Sequence, residues 1–176
     1  MWKLFGLFSV MLLIPQLALA QSAGEASEES GAASEDALLT QAELENLVAP
    51  VALYPDTLLI QILVASTNPM EVIKSDRLLA VNEEEDPEAL QAAIEAEEWD
   101  ESVEVLSIAF PEVVEDMALY IEWTETMGDA MLAQSDDVMA AVQTMRGQAI
   151  NSGALVSGQE QIVEVTAEED VIIQPA

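Results

Sequence analysis

Cysteine and histidine are both absent from this 176-residue chain, and only four basic side chains stand against 34 acidic ones. Without cysteine there are no disulfides, no thiolate nucleophile and no cysteine-ligated zinc. Without histidine no imidazole can serve as general base, metal ligand or switch near neutral pH. Beyond the N-terminal Lys3, chemistry is left to carboxylates, hydroxyls, Tyr54 and Tyr120, and the three bases Lys74, Arg77 and Arg146. There is no Ser-His-Asp set, no Gly-rich phosphate loop and no dinucleotide fingerprint. Nothing in the sequence implies a cofactor or a dedicated metal site.

The shortage of positive charge excludes further partners. At a net charge of −30, nucleic acids and anionic lipid surfaces are repelled. The plain reading of so many acids is a solvated coat that keeps the protein soluble. Such a coat suits salty surroundings, because at 1 M salt the screening length falls to about 3 Å and self-repulsion is relieved.

Long apolar runs are also scarce. Met1-Trp2-Lys3 makes a short positive start, an apolar stretch from Leu4 to Ile14 follows, and Ala18-Leu19-Ala20 precedes Gln21. This is the pattern of an export signal cleaved after Ala20. Its apolar part falls short of the roughly 20 residues that span a bilayer. Cleavage removes Lys3 and takes the net charge from −30 to −31. With no cysteine to lipidate, a lipoprotein is excluded, and the expected location is periplasmic or secreted. Residues 21–37, "QSAGEASEESGAASEDA", cannot bury apolar area and are expected to form a disordered acidic leader.

Order is expected from residue 38. Thr40 with Glu43 fits a capping box, opening a short helix that ends near Val48, before Pro50. The most apolar stretch after the signal is "LVAPVALYPDTLLIQILVASTNP" (47–69). Within it Leu58, Leu59, Ile62, Leu63 and Ser66 share a helical face, and Ile60 and Val64 make the other side apolar too. Thr57 to Thr67 rises only about 16 Å against roughly 30 Å of hydrocarbon, so it reads as a central core helix, and no transmembrane segment is expected in the mature chain. Pro55-Asp56, Pro69 before Glu71, Pro87-Glu88 and Pro111-Glu112 repeat one start signal. Proline loses nothing at the first helical position, and a nearby acid faces the positive end of the helix dipole.

Helices are therefore predicted over 56–66, 69–81, 87–98, 101–109, 111–127 and 129–152, with Asp100 capping the fourth. Gly128 is expected to break or kink the last pair, and Gly153 to end the last helix. "QIVEVT" and "VIIQP" are β-prone and are predicted to form two short strands that dock on the helices. The whole is an all-α fold: a compact bundle of six to seven short helices over 38–153, with a short C-terminal β segment within 154–176.

Three phrases carry a resemblance: "LVAPVALYPDTLLIQILVASTNPMEV" (47–72), "WDESVEVLSIAFPEVVEDM" (99–117) and "WTETMGDAMLAQSDDVMAAVQTMRGQA" (123–149). Together they resemble domain-of-unknown-function family 3300 of exported bacterial proteins, over roughly residues 42–165. The resemblance implies export and assigns no catalytic residue. Family members carry Arg-Trp-Leu where this chain has Arg77-Leu78-Leu79. They also continue into a Pro- and Tyr-rich extension, whereas this sequence ends at Pro175-Ala176.

Five constellations merit testing. Glu122 and Glu125, at i and i+3 around Trp123, have the residue types of a glycosidic acid–base pair with a stacking platform; the plain alternative is a polar helix face beside a core tryptophan. Glu83-Glu84-Glu85-Asp86 concentrates negative charge but lacks the staggered, Gly-containing loop that calcium requires, so it reads as a solvated linker. Arg77 with Arg146 would make an anion pocket; the alternative is internal pairing, such as Glu71 with Lys74. The stretch Ala49-Pro50-Val51-Ala52-Leu53-Tyr54-Pro55-Asp56 forms a rigid, Pro-bounded loop suited either to docking a partner through Tyr54, Pro55 and Asp56 or to anchoring itself on the core. The strand Ile162–Thr166, with Ile162, Val163 and Val165, offers an edge for β-augmentation by an envelope protein. The combined reading is a non-catalytic binding or scaffolding module, set against a carboxylate-dependent hydrolase of an envelope polymer.

Overall fold

The structure, a computed structural model, describes residues 38–82 and 86–176. The expected signal peptide, the acidic leader and Glu83, Glu84 and Glu85 lie outside the described residues.

Helix α1 spans Gln41–Val48 and opens as the capping box requires. The Thr40 N–H donates to Glu43 Oε2 at 2.8 Å, and the Thr40 hydroxyl accepts from the Glu43 N–H. The Thr40 hydroxyl also donates to Glu43 Oε2 at 2.6 Å, and this bond first, the Thr40 N–H second, holds the Glu43 carboxyl below its ordinary pKa. Helix α2 (Asp56–Ala65) buries Leu59, Ile62, Leu63 and Ala65 and leaves Ile60 exposed along one edge. Helices α3 (Pro69–Val81), α4 (Pro87–Glu95) and α6 (Pro111–Leu119) each start with proline in the first turn. Pro55 differs: it stands just outside α2 at the N-cap. Helix α5 (Glu101–Ala109) is capped by Asp100, whose carboxylate accepts from the Ser102 N–H at 2.9 Å. The Asp100 N–H in turn donates to Glu71 Oε2 at 2.8 Å, tying the start of α5 to α3. The expected Glu71–Lys74 pairing is thus replaced by a longer-range contact that fixes two helices.

Between α3 and α5 lies a buried serine pair, Ser75 Oγ to Ser107 Oγ at 2.5 Å. Ser107 spends its single proton on the Val103 carbonyl at 2.6 Å, so Ser75 is the donor between the two.

Helix α7 (Ile121–Ser152) is the spine, in contact with α1, α2, α3 and α6 and with the tail. Here the predicted boundary moves. The break falls at Tyr120 (φ −105°, ψ 50°) rather than at Gly128. The Thr124 hydroxyl bridges it by donating to the Met117 carbonyl at 2.7 Å. Gly128 lies inside α7 for another reason: a Cβ there would stand 2.1 Å from the Ser66 carbonyl oxygen. The end of α2 and the body of α7 meet backbone to backbone, and only glycine fits. A kink does occur six residues later, at Gln134 (φ −152°, ψ 49°). The Gln134 amide accepts from the Leu39 N–H at 2.7 Å and donates to the Leu39 carbonyl at 3.1 Å, pinning the segment before α1. Gly153, at φ 75°, ends α7 in the left-handed conformation.

The tail forms an antiparallel hairpin of β1 (Gln161–Val165) and β2 (Val171–Pro175), with Val163 opposite Ile173. It docks on the end of α7 through a small second core of Ala149, Leu155, Val171 and Ile173. The main core runs from Leu44 through α2, α3, α5 and α6 to Val142. The architecture is all-α with a C-terminal β segment.

Candidate functional site

Residues 49–55, between α1 and α2, form a chain of tight turns that leads into Asp56, the first residue of α2. The Val51 and Ala52 N–H groups donate to the Val48 carbonyl, each at 2.9 Å, and the Tyr54 N–H to the Val51 carbonyl at 3.0 Å. Two different structures share this loop.

The first is a junction around Arg146, which is 2% exposed. Its Nε donates to the Ala52 carbonyl at 2.8 Å and one terminal nitrogen to the Tyr54 carbonyl at 3.1 Å. The other terminal nitrogen donates to Asp56 Oδ1 at 2.5 Å and to the Val171 carbonyl at 2.8 Å. One planar fork joins the loop, α2, α7 and β2, a geometry that lysine lacks. Gln143 completes it: its side-chain oxygen accepts from the Val171 N–H at 2.8 Å.

The second is a cleft of ≈ 410 Å³ lined by Tyr54, Tyr120, Trp123, Pro50, Val113 and Asp116 above a floor that includes Ile62 and Met117. Ile62 and Met117 are buried, at 1% and 2% exposure, whereas Tyr54 and Tyr120 are 38% and 62% exposed. Trp123 is oriented by its indole N–H, which donates to the Leu47 carbonyl at 2.8 Å. The break at Tyr120 turns that side chain outward at the junction of α6 and α7. Such a surface offers large rigid rings at low entropic cost, the composition of interface anchors.

The sequence candidates distribute unevenly over these structures. Tyr54 and Trp123 line the cleft, while Asp56 and Arg146 meet in the junction. Pro55 is half-buried between them. Arg77 is exposed on α3 while Arg146 is buried with its guanidinium on the loop. Glu122 and Glu125 are exposed on α7 and do not line the cleft. On the hairpin, Ile162 and Val165 are exposed, but Val163 packs on the second core. The Val163 N–H donates to the Ser157 hydroxyl at 2.9 Å, and that hydroxyl donates to the Val163 carbonyl at 3.2 Å. A strand added there would have to displace Ser157. Among the described residues, no group of three or more carboxylates is arranged to hold a metal ion, and no helix is long and apolar enough to cross a membrane.

Sequence reasoning missed Val113, Asp116 and Tyr120 as cleft residues. The apolar spacing Val114, Met117, Ala118, Ile121, Thr124 runs on through residue 120 as if the helix were continuous. The only local clue was an aromatic flanked by Leu119 and Ile121.

Comparison with known proteins fits this picture of an unassigned site. Over 133 residues the chain is 40% identical to the uncharacterized protein YacH of Escherichia coli (strain K12). That match takes in 76% of this chain and 21% of the relative, so the chain spans about a fifth of that protein's length. No solved structure matches. The model of the family described as "Protein of unknown function (DUF3300)" matches residues 40–176, from the Thr40 cap through α7 and the docked hairpin, and the chain belongs to that family.

Proposed function

We propose that this chain is a non-catalytic binding module, exported to the periplasm or cell envelope, whose contact surface is the cleft between the 49–56 loop, α6 and the start of α7. Export rests on the A-x-A pattern behind a short apolar segment. The observation that carries the binding role is the convergence of Tyr54, Tyr120 and Trp123 on one concave surface. Its size is that of ligand pockets, roughly 300–1,000 Å³. Exposed rings over a buried apolar floor are costly to leave in water and gain from being covered.

The test is a photoreactive phenylalanine analogue placed at position 120 and, as a control, at the exposed position 132 of α7. Irradiation in envelope extract is expected to give one dominant adduct from position 120 only. The captured partner, purified, should bind the native chain and lose at least about tenfold in affinity against Tyr120→Ala. Indistinguishable adducts from both positions, or an affinity unmoved by Tyr120→Ala, would remove the cleft from the reading.

A further inference from the structure

We infer that the cleft receives the side chain of an arginine or lysine from a basic polypeptide segment; this rests on the cleft being the contact surface and names what enters it. Two tyrosines, a tryptophan and Asp116 line the same ≈ 410 Å³. Aromatic faces carry negative electrostatic potential, and several around one concavity with an anion nearby form a receptor for an organic cation.

Apart from the Trp123 indole N–H, which is spent on the Leu47 carbonyl, the side-chain polar groups of the site are uncommitted among the described residues. Among the described residues the Asp116 carboxylate has no hydrogen-bond or ion-pair partner; only its backbone carbonyl is used, by the Tyr120 N–H at 2.9 Å. Within the described residues the Tyr54 and Tyr120 hydroxyls likewise make no hydrogen bond. The chain's own described cations do not serve the site: Arg146 is consumed in the loop junction, and Lys74 and Arg77 lie exposed on α3 and do not line the cleft.

Charge decides among occupants. The helices bordering the cleft expose Glu112 and Glu115 on α6 and Glu122 and Glu125 on α7, within a chain of net charge −30. An anionic ligand is repelled by that field. A neutral apolar segment would cover the rings but strip water from Asp116 without a partner. A guanidinium or ammonium on an aliphatic stem satisfies both, the stem on Ile62 and Met117 and the charge among the rings and the carboxylate.

Two peptides separate this from general attraction to an acidic protein. One carries three arginines spaced by Gly-Pro; its twin carries citrulline, of the same shape without the charge. Binding to the purified chain is followed by calorimetry in 0.15 M salt. The arginine peptide is expected to bind at least about tenfold more tightly than its twin and to lose about tenfold against Tyr120→Ala, a substitution that leaves every charge in place. Asp116→Asn should weaken the arginine peptide and spare the citrulline one. It also serves if Tyr120→Ala disturbs the α6–α7 junction, which a thermal melt reports. Equal binding of the two peptides would overturn the cation while leaving the cleft as a contact surface. Binding indifferent to Tyr120→Ala would assign the affinity to the acidic coat and overturn the inference, as would no binding by the arginine peptide.

Discussion

The Arg146 junction and the aromatic cleft share one stretch of chain, residues 49–56, and differ in what they leave unspent. At the junction every partner is used: the carbonyls of Ala52, Tyr54 and Val171 and the Asp56 carboxylate all meet one buried guanidinium. At the cleft the side chains of Pro50 and Tyr54 face solvent beside Tyr120 and Trp123. The loop's backbone thus serves the fold, and part of its side-chain surface remains open to a partner. A buried polar junction can be rigid because it is fully satisfied. That rigidity holds Tyr54 in place at the cleft.

The sharpest way to break the comparison is Arg146→Ala. It orphans two buried carbonyls and opens a cavity, and a loss of about 3–5 kcal/mol is expected in denaturant unfolding. Water takes over part of the Asp56 side, since that side chain is 41% exposed. Arg146→Lys should recover little, because an ammonium cannot reach the same acceptors in one plane. Gly128→Ala comes next. Its Cβ would collide with the Ser66 backbone oxygen, which no rotamer change relieves, and about 1–3 kcal/mol should be lost.

Tyr120→Ala inverts the pattern. Stability should stay within about 0.5 kcal/mol, as for most exposed positions, while partner affinity falls. A stability loss as large as that of Gly128→Ala would mean that Tyr120 belongs to the fold rather than to the contact surface. Smaller and global is the salt response: the melting temperature should rise between 0.05 and 1 M NaCl as self-repulsion is screened. A flat or falling curve would show that the acids do not oppose folding. The smallest effect is at Glu43. Its carboxyl is held below the ordinary value, so its contribution is complete above pH 4.5 and fades as pH falls through the lowered value. Glu43→Gln keeps a capping side chain but removes the titration, and should slightly flatten the acid limb of a stability–pH profile.

Much of the fold was legible because its signals are local. Pro69, Pro87 and Pro111 mark helix starts through a missing N–H, Thr40 and Asp100 through short side-chain bonds, and Gly153 through a positive φ. The break at Tyr120 was not legible, because the apolar spacing runs in phase through it and Tyr120 makes no side-chain cap bond. Gly128 was misread for a related reason. A helical glycine looks the same in sequence whether it ends a helix or admits another backbone. Of the site, Tyr54, Trp123, Asp56 and Arg146 were visible as scarce residue types in rigid settings. Their partition between cleft and junction was not, since residues 54 and 123, or 56 and 146, meet only after the helices pack.

By itself the sequence determined the all-α class, most of the helix starts, the docked terminal strands, and the exclusion of histidine and cysteine chemistry. These follow from composition, from periodicity and from bonds reaching no more than four residues. Only the tertiary structure decided that Arg146 lies inside on the loop carbonyls, that Gly128 is a contact rather than a break, and that Tyr120 joins Tyr54 and Trp123. Each of those depends on which surfaces meet across long stretches of chain, and no local rule of backbone or side chain carries that information.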